Sequence, residues 1–228
     1  MVEPEEGGIN VVSVGKFNPA IFQPAWFLSN GLIGAEQAKG AVRAKELEDI
    51  SLEGVHPEAT AFRAGWLEVQ VTRDRCVLGT SELSSRQALF DFVINTFTLL
   101  SHTPVGAFGV NVGAHFRLHD EAKWNSLGDR LAPKDLWQGI LDRPGLRTLT
   151  MEEPREEKDN IPAGWFRIEV GPSIRVPVGL FTATNEHFDL SDKDEFRSGG
   201  ELVRLLEVVG PRSAQHAFEV IDSLLALT

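Results

Sequence analysis

A run of 25 residues without Asp, Glu, Lys or Arg, from Phe92 to Phe116, limits the fold of this chain more than any other feature. Such a run is long enough to cross a bilayer, which takes about 20 residues in a helix. It also contains asparagine, threonine and histidine residues, and Pro104 divides it in two. Because hydrocarbon disfavours so many polar groups, we predict that the run crosses the core of a globular protein and that the chain does not associate with a membrane.

The two parts of this run have different periods. Before Pro104, apolar residues recur at spacings of three and four, and Ser84 and Gln87 form a capping-box pattern ahead of them. These features predict a helix from about Ser85 to Ser101. After Pro104, apolar residues alternate with polar or small ones, which predicts a long strand from Val105 to Leu118 across the same core.

Weaker patterns place the other elements. We predict a first strand, a short helix opened by Pro24, a hairpin with one buried face, two short helices around Pro133, a pair of strands and two C-terminal helices. An acidic segment between the paired strands is expected to be an exposed hairpin tip or loop. The predicted ranges are 9–17, 24–31, 65–78, 120–141, 146–151 with 165–170, 201–208 and 213 onward, with the loop at 152–162. Residues 35–47 have helical composition but no clear apolar face, so we do not predict their secondary structure.

These patterns indicate an α+β fold, in which an antiparallel sheet is covered by the helix of residues 85–101 and by the C-terminal helix. We expect an N-terminal half, residues 1–142, and a C-terminal half, residues 143–228, that share or adjoin one core.

Two sequence echoes indicate that these halves are related. The segment Gly65 to Val71 is echoed by Gly164 to Val170, and the segment Gly113 to Leu118 by Asn185 to Leu190. The offsets of 99 and 72 residues differ, which excludes a repeat of fixed period. Chance similarity between antiparallel strands is the alternative explanation.

Composition excludes several classes of function. The chain has 22 Lys and Arg against 33 Asp and Glu, a net charge of −11, and protonation of all six histidines would leave −5. Nucleic acid is therefore a poor partner, because its binding depends on the neutralisation of phosphates. The single Cys76 excludes an internal disulfide and any site with several cysteines, and we expect it to be a small buried hydrophobe.

Common catalytic and nucleotide-binding signatures are missing from the sequence. GxSxG, HExxH, the P-loop and GxGxxG do not occur, and the chain has no tyrosine. We therefore expect no catalytic residues, no metal and no cofactor. The acidic segment Met1 to Gly8 lacks the basic and apolar stretches of a secretory signal, so we expect a cytoplasmic location.

Several of these features together resemble a known family. They are the basic residues Arg73 and Arg75 at the hairpin turn, the capped aromatic helix, the strand with Gly109-Val-Asn111, a short aliphatic strand and the amphipathic C-terminal helix. The chain resembles a sporadically distributed family of uncharacterised bacterial two-part α+β proteins, whose histidine near the start of the last helix is matched approximately by His216. The resemblance implies a bacterial, cytoplasmic protein and supplies no catalytic residues.

Four polar residues are candidates for ligand binding. Asn111 and Asn185 each lie in an apolar strand, where an unpaired buried amide costs about 1–3 kcal/mol, so each needs a partner in its own backbone or in a ligand. His115 and His187 would join them if the two His-Phe strands are neighbours. His115 and His119 point to the same side of one strand, but a separation of about 13 Å prevents them from sharing a zinc ion.

Aromatic residues in short elements are candidates for an interface. These are Trp26 and Phe27 beside Pro24, and Trp124 with Trp137; ordinary core packing is the alternative for each. The acidic residues Glu152, Glu153, Glu156 and Glu157 form either an electrostatic handle for a basic partner or a solvated loop.

We therefore expect a non-catalytic bacterial binding protein, acting through strand edges and aromatic surface as the neutralising or accessory member of a protein pair. A protein partner is expected, and homodimerisation is one form of it. The alternative is a small-molecule-binding protein or an enzyme whose polar pocket lies between the halves, with Asn111, His115, Asn185 and His187 converging.

Overall fold

The computed structural model describes residues 3–43, 58–118, 120–191 and 196–227. Within these ranges, ten strands form one sheet in which every pairing is antiparallel, and five α-helices accompany it. The strands are Glu6–Gly15 (β1), Val42–Arg43 (β2), Ala59–Ala64 (β3), Leu67–Thr72 (β4), Arg75–Thr80 (β5), Pro104–Arg117 (β6), Leu149–Arg155 (β7), Gly164–Pro172 (β8), Gly179–Asp189 (β9) and Arg197–Ser198 (β10). The helices are Pro24–Ser29 (α1), Ala35–Lys39 (α2), Arg86–Leu99 (α3), Glu121–Leu131 (α4) and Gly199–Leu225 (α5). The predicted α+β fold with an antiparallel sheet is confirmed.

The strand order is β2-β3-β4-β5-β1-β6-β9-β8-β7, with β10 beside the start of β6. The strands β5, β4 and β3 follow one another outward from β1, and β9, β8 and β7 follow one another outward from β6. The order is therefore mirrored about the β1–β6 pair. The expected boundary at residues 142 and 143 falls in the loop before β7, and the strands on both sides of it belong to the same sheet.

Of the two sequence echoes, one occupies corresponding places in this order. Gly65 to Val71 covers β4 and Gly164 to Val170 covers most of β8, each two strands outward from the central pair. The other echo lies in β6 and β9, which are neighbours and do not correspond.

The helices lie on one face of the sheet. Residues of alternate positions, such as Val11 in β1, Val69 in β4 and Phe108 in β6, are buried on this face beneath α3 and α5, which pack on each other. Phe27 of α1 packs on Phe62 of β3 in the same layer. The intervening positions form the other face, which we call the open face, because no helix in the described ranges covers it. A loop, residues 173–178, folds over one end of the open face.

The predicted helix of residues 85–101 is present as α3, but its predicted capping box is wrong. A 3₁₀ turn, Leu83–Ser85, precedes the helix, and Ser85 at the cap position makes no capping hydrogen bond. The side chain of Gln87 instead donates to Asp91 Oδ1 at 3.0 Å, one turn along the helix. The turn places Ser84 outside the helix, so its hydroxyl cannot cap it.

Two boundaries at the C-terminal side also differ from prediction. The two helices expected from residue 201 onward are one helix, α5, that continues through Pro211. An interior proline costs about 3 kcal/mol, but Leu206 before it and Ala214 after it are both buried on one side of the helix, which keeps α5 in place across the break. The acidic segment begins within β7, which extends to Arg155 before the chain turns.

The remaining predicted elements have these outcomes. The structure confirms five other predictions: the first strand, the short helix at Pro24, the hairpin β4–β5, the long strand β6 and the β7–β8 pair. Residues 120–141, where two short helices were predicted, form α4 followed by a 3₁₀ helix, Lys134–Trp137. The segment left open forms α2 and β2; its residues 44–47 lie outside the described residues, as does His119. None of the described helices is long and apolar enough to cross a membrane.

Gly164 lies at the start of β8, packed against β9. A Cβ atom at this position would overlap the backbone carbonyl oxygen of His187 and crowd Arg155 Nη2. We expect Gly164→Ala to lower the free energy of unfolding by about 2 kcal/mol or more, measured by urea titration.

The matched control is Gly113→Ala, on the same sheet, where the added Cβ meets its nearest atom, in the Phe181 ring, at 3.9 Å. This control is expected to stay within about 0.5 kcal/mol of the wild type. Equal stability of the two variants would contradict the close packing of β8 on β9.

Candidate functional site

A row of polar side chains crosses the open face from one edge of the sheet to the other. The register places Asn10, Asn111 and Asn185 directly opposite one another on β1, β6 and β9. We call the full set the polar row; from β3 to β7 its positions are Arg63, Glu68, Gly79, Asn10, Asn111, Asn185, Arg167 and Glu152.

The members of the polar row pair with each other. Arg63 Nη2 lies 2.6 Å from Glu68 Oε1 at one end, and Arg167 Nη2 lies 2.6 Å from Glu152 Oε2 at the other. In the centre, Asn111 Nδ2 donates to Asn10 Oδ1 at 2.8 Å. Asn10 is therefore the hydrogen-bond partner that the amide of Asn111 needs in an apolar strand. These contacts stabilise the sheet and do not by themselves assemble a reaction centre.

Asn185 differs from its neighbours in the row. Its Oδ1 is buried and has no hydrogen-bond partner among the described residues. The oxygen lies over Gly109, where a Cβ atom would approach it to 2.9 Å. A glycine on β6 thus makes room for the amide of β9, and the unpaired acceptor leaves a cost of about 1–3 kcal/mol.

The two candidate histidines lie far apart, although their strands are neighbours. Strands β6 and β9 are antiparallel, so His115 lies opposite Phe181 and His187 lies opposite Gly109. Phe181 and His187 are six residues apart on β9, which corresponds to about 20 Å along the strand. The four candidate ligand residues therefore include one adjacent pair, Asn111 and Asn185, and do not form a single pocket.

His115 is held in a defined state. Only 9% of the residue is exposed, its ring packs on Phe181, and Nδ1 lies 2.8 Å from Ser173 Oγ. The same Oγ accepts the backbone N–H groups of Arg175 and Val176 at 3.1 and 2.8 Å. Because those donors occupy the oxygen, the hydroxyl proton of Ser173 is directed to Nδ1, which favours the neutral ring with its proton on Nε2.

The surroundings of His115 also favour its neutral form. Burial lowers the pKa of His115, the guanidinium of Arg175 lowers it further, and the carboxylate of Glu6 acts in the opposite direction. The positive charge comes from Arg175 in the loop of residues 173–178, and the negative charge comes from Glu6 in β1. The two groups also pair with each other, with Arg175 Nη1 3.1 Å from Glu6 Oε2.

His187 belongs to a different cluster on the open face. Its ring stacks on Trp165 with centroids 4.7 Å apart and planes 6° apart, and the guanidinium of Arg167 lies 4.1 Å from the centroid of the same indole. His187 Nε2 is 3.0 Å from Asp189 Oδ1. All four residues lie in adjacent strands, β8 and β9.

The interface candidates have different environments. Phe27 is completely buried, so its expected place at a surface is wrong; it packs on Phe62 and Phe92 in the core. Trp26 is half-buried against Phe22 and Phe27. Trp124 is also half-buried and donates from Nε1 to the backbone oxygen of Gly179 at 2.9 Å.

Trp137 is the interface candidate that faces solvent. It lies in an exposed apolar segment, which we define as Leu136, Trp137, Ile140 and Leu141. The sequence singled out Trp137 as an interface candidate, whereas its three neighbours served only to predict a short helix after Pro133.

Cys76 is buried on the helix-covered face, as expected for a small hydrophobe. Burial raises the pKa of its thiol well above the usual range, so the thiolate needed for nucleophilic chemistry does not form near neutral pH. In the part of the chain that the structure describes, no group of three or more His, Cys, Asp or Glu side chains is placed to hold a metal ion.

A groove of about 1010 Å³ lies where β1 begins. Its lining includes residues of the open face and, from α5 on the other face, Phe218, Ile221 and Asp222. Gly8, Gly79 and Gly113 contribute positions without side chains to its lining. Glu68 and Gln70 of β4 line it on one side, and His115 lines it on the other. The groove adjoins the polar row, because Asn10, Glu68 and Gly79 belong to both.

No protein-family model matches this chain, and no curated protein matches it significantly. The family resemblance drawn from the residues stays a prediction.

A prediction follows from the neutral state of His115. An unfolded chain has a histidine pKa of about 6.5, whereas the folded value is lower. Between the two values the unfolded state binds more protons, so the stability is fully present above about pH 6.5 and falls as the pH is lowered toward the folded pKa.

Urea unfolding of the wild type and of His115→Gln, between about pH 7.5 and about pH 5.5, measures this contribution. We expect the stability advantage of the wild type over the variant to shrink as the pH falls. An advantage that is constant or that grows toward low pH would show that His115 is not held neutral.

Proposed function

We propose that this protein is a non-catalytic bacterial binding protein, the neutralising or accessory member of a protein pair, and that it docks its partner on the open face. The observation that carries the proposal is the one-sided packing of the sheet. The helices bury one face, and no described helix covers the other.

The composition of the open face suits a protein partner. Val14 is 45% exposed near the end of β1, and Val12, Val77 and Phe181 lie on the same face, among glycines and the amides of the polar row. Such a mixture of apolar area and hydrogen-bonding groups is typical of interfaces between proteins that also exist apart. Gly8, Gly79 and Gly113 carry no side chain on this face, so a partner would approach the backbone closely at these three positions.

The same geometry speaks against the enzyme alternative. A pocket between the halves required His115 and His187 to converge with the two asparagines, and about 20 Å of strand separates the histidines. The charged and central amide groups of the polar row are occupied by each other. We therefore propose binding without catalysis and without a cofactor.

The edge strand β7 is a poorer docking site than the open face. Its outer half carries Glu152, Glu153 and Pro154, and charged residues and proline on an edge oppose the addition of another strand. Pairing of two β7 strands would also bring these carboxylates together. We therefore place the partner on the open face, and the partner is expected to be a different protein.

We further propose that the two mirrored groups of strands are related halves, residues 6–99 and 104–225. In the described residues, each runs in the order strand, short helices, three longer strands and a long helix; a two-residue strand comes before the three longer strands in the first group (β2) and after them in the second (β10). The echo between β4 and β8 supports this relationship, because Glu68 and Arg167 at equal positions in the echo both lie in the polar row. A cytoplasmic setting remains part of the proposal, on the family resemblance.

Affinity purification from the native host, with mass spectrometry of proteins and metabolites, tests the proposed function. We expect one protein in stoichiometric amount. The variant Val14→Arg places a charge on the open face and is expected to reduce recovery of that protein at least about tenfold, because docking would bury this charge without a partner.

The matched control is Val208→Arg, which alters an equally exposed valine on α5, on the opposite side of the molecule. Its recovery of the partner is expected to equal that of the wild type. Recovery of a stoichiometric small molecule without a protein, or equal losses in the two variants, would contradict docking on the open face.

A further inference from the structure

We propose that the groove beside β1 takes an extended, basic peptide segment of the partner. This inference rests on the proposed function, and it names the part of the partner that enters and its chemistry. Three observations carry it: the shape of the groove, the hydrogen-bonding groups that line it, and its charge.

The shape suits a backbone. The lining includes Gly8, Gly79 and Gly113, which lie on three adjacent strands and carry no side chain. A Cβ on Gly8 or Gly79 would come within 3.0 Å of the neighbouring strand, so these two glycines are also required by the packing. A Cβ on Gly113 meets nothing nearer than 3.9 Å, which shows that space above this glycine is free.

The open side of the groove, more than its volume, favours a peptide over a metabolite. Pockets for small molecules span about 300–1,000 Å³ and bury most of the ligand. This groove has about 1010 Å³ and is open along one side. A segment of several residues would fill it, whereas a metabolite would leave much of it solvated.

Hydrogen-bonding groups line two sides of the groove. On one side is His115, a nine-tenths buried side chain whose Nε2 has no hydrogen-bond partner among the described residues. Its neutral state makes Nε2 a donor. On the other side is Gln70, whose amide likewise makes no hydrogen bond within the described ranges and offers both a donor and an acceptor. A peptide backbone presents both donors and acceptors, so His115 and Gln70 together can form hydrogen bonds with it.

Charge decides which peptide enters. Five carboxylates line the groove against two guanidinium groups; they are Glu3, Glu5, Glu6, Glu68 and Asp222, with Arg86 and Arg175. Glu5 and Glu68 also pair with Arg117 and Arg63, which leaves an excess of one negative charge. The side chains of Glu6 and Arg175 are each about half exposed, and such exposed ion pairs contribute little to stability. A basic side chain of the peptide can therefore replace Arg175 as the partner of Glu6. The net charge of −11 of the whole chain favours the same kind of partner.

Two labelled probe peptides of equal length test the inference by fluorescence anisotropy. One alternates arginine with valine, and the other alternates glutamate with valine. The basic peptide is expected to bind and to be weakened by added salt, because its binding includes exposed charges. Equal binding of the two peptides, or binding of the acidic one alone, would overturn the inference.

A variant that fills the groove locates the binding. Gly113→Leu is expected to weaken binding of the basic peptide at least about tenfold, whereas Gly34→Leu, at a glycine outside the groove with no atom within 4 Å of its added Cβ, should leave it within about twofold. Should Gly113→Leu not fold, Gly113→Ala is used, and any weakening relative to Gly34→Ala is the readout. Equal affinities of the filled and control variants would overturn the inference.

The purified partner separates this inference from the proposed function. Loss of partner binding in both Val14→Arg and Gly113→Leu supports both. Loss in Val14→Arg with full binding in Gly113→Leu overturns the groove and leaves the open face in place. Absence of any stoichiometric partner overturns the proposed function, and the probe peptides then still decide whether the groove binds basic peptides.

Discussion

The packing of α3 and α5 on one face of the β1–β6 pair is the contact on which the rest of the structure depends. These two strands lie in the middle of the sheet, and their alternate residues, such as Val11 and Phe108, are buried beneath the helices. Since side chains of a strand alternate between faces, burial of one set fixes the other set on the opposite side. Asn10 and Asn111 therefore meet on the open face, and a slip of one residue would place both amides in the apolar core.

This constraint also explains why the polar row is continuous. Once β1 and β6 are in register, each added strand places one more residue in line with the asparagines. Gly79 keeps its place in the row because a Cβ there would come within 2.9 Å of Asn10 Cβ. Arginine and glutamate at the two ends satisfy each other, so the row closes without a ligand. The unpaired Oδ1 of Asn185 is the exception, and it remains covered within the sheet.

The sequence predicted those parts of the fold whose patterns are strong within one segment. Alternation in β4 and β6 and the helical period of α3 lead to the correct elements, and the buried state of Cys76 follows from its place in a hairpin strand. The sequence did not predict α5 as one helix, because the local cost of Pro211 is offset by packing of residues distant in the chain. Phe27 was misplaced for a similar reason, since only the fold brings Phe62 and Phe92 around it.

The candidate site shows the same limit. Asn111 and Asn185 were recognisable because a polar residue interrupts an apolar strand, whereas Asn10 lies in the weakly patterned β1 and becomes significant only through its register with Asn111. The sequence predicted that His115 and His187 lie together on the condition that their two strands are neighbours. The strands are neighbours, but the sequence did not predict that they run in opposite directions. Although His115 and His187 lie in similar sequence segments, antiparallel pairing of these segments places the two side chains far apart. The groove was not foreseen, because glycines from three strands meet in it.

Thiol labelling of single introduced cysteines tests the central claim, one-sided cover of the sheet, most directly. The native Cys76 is buried and gives an unreactive background in the folded protein. The account predicts that a cysteine at Val14, on the open face, reacts readily in the folded protein, whereas a cysteine at Val11, beneath the helices, reacts only on unfolding. Protection of the cysteine at position 14 equal to that at position 11 would contradict the account, because it would show that the face proposed for docking is covered in the free protein.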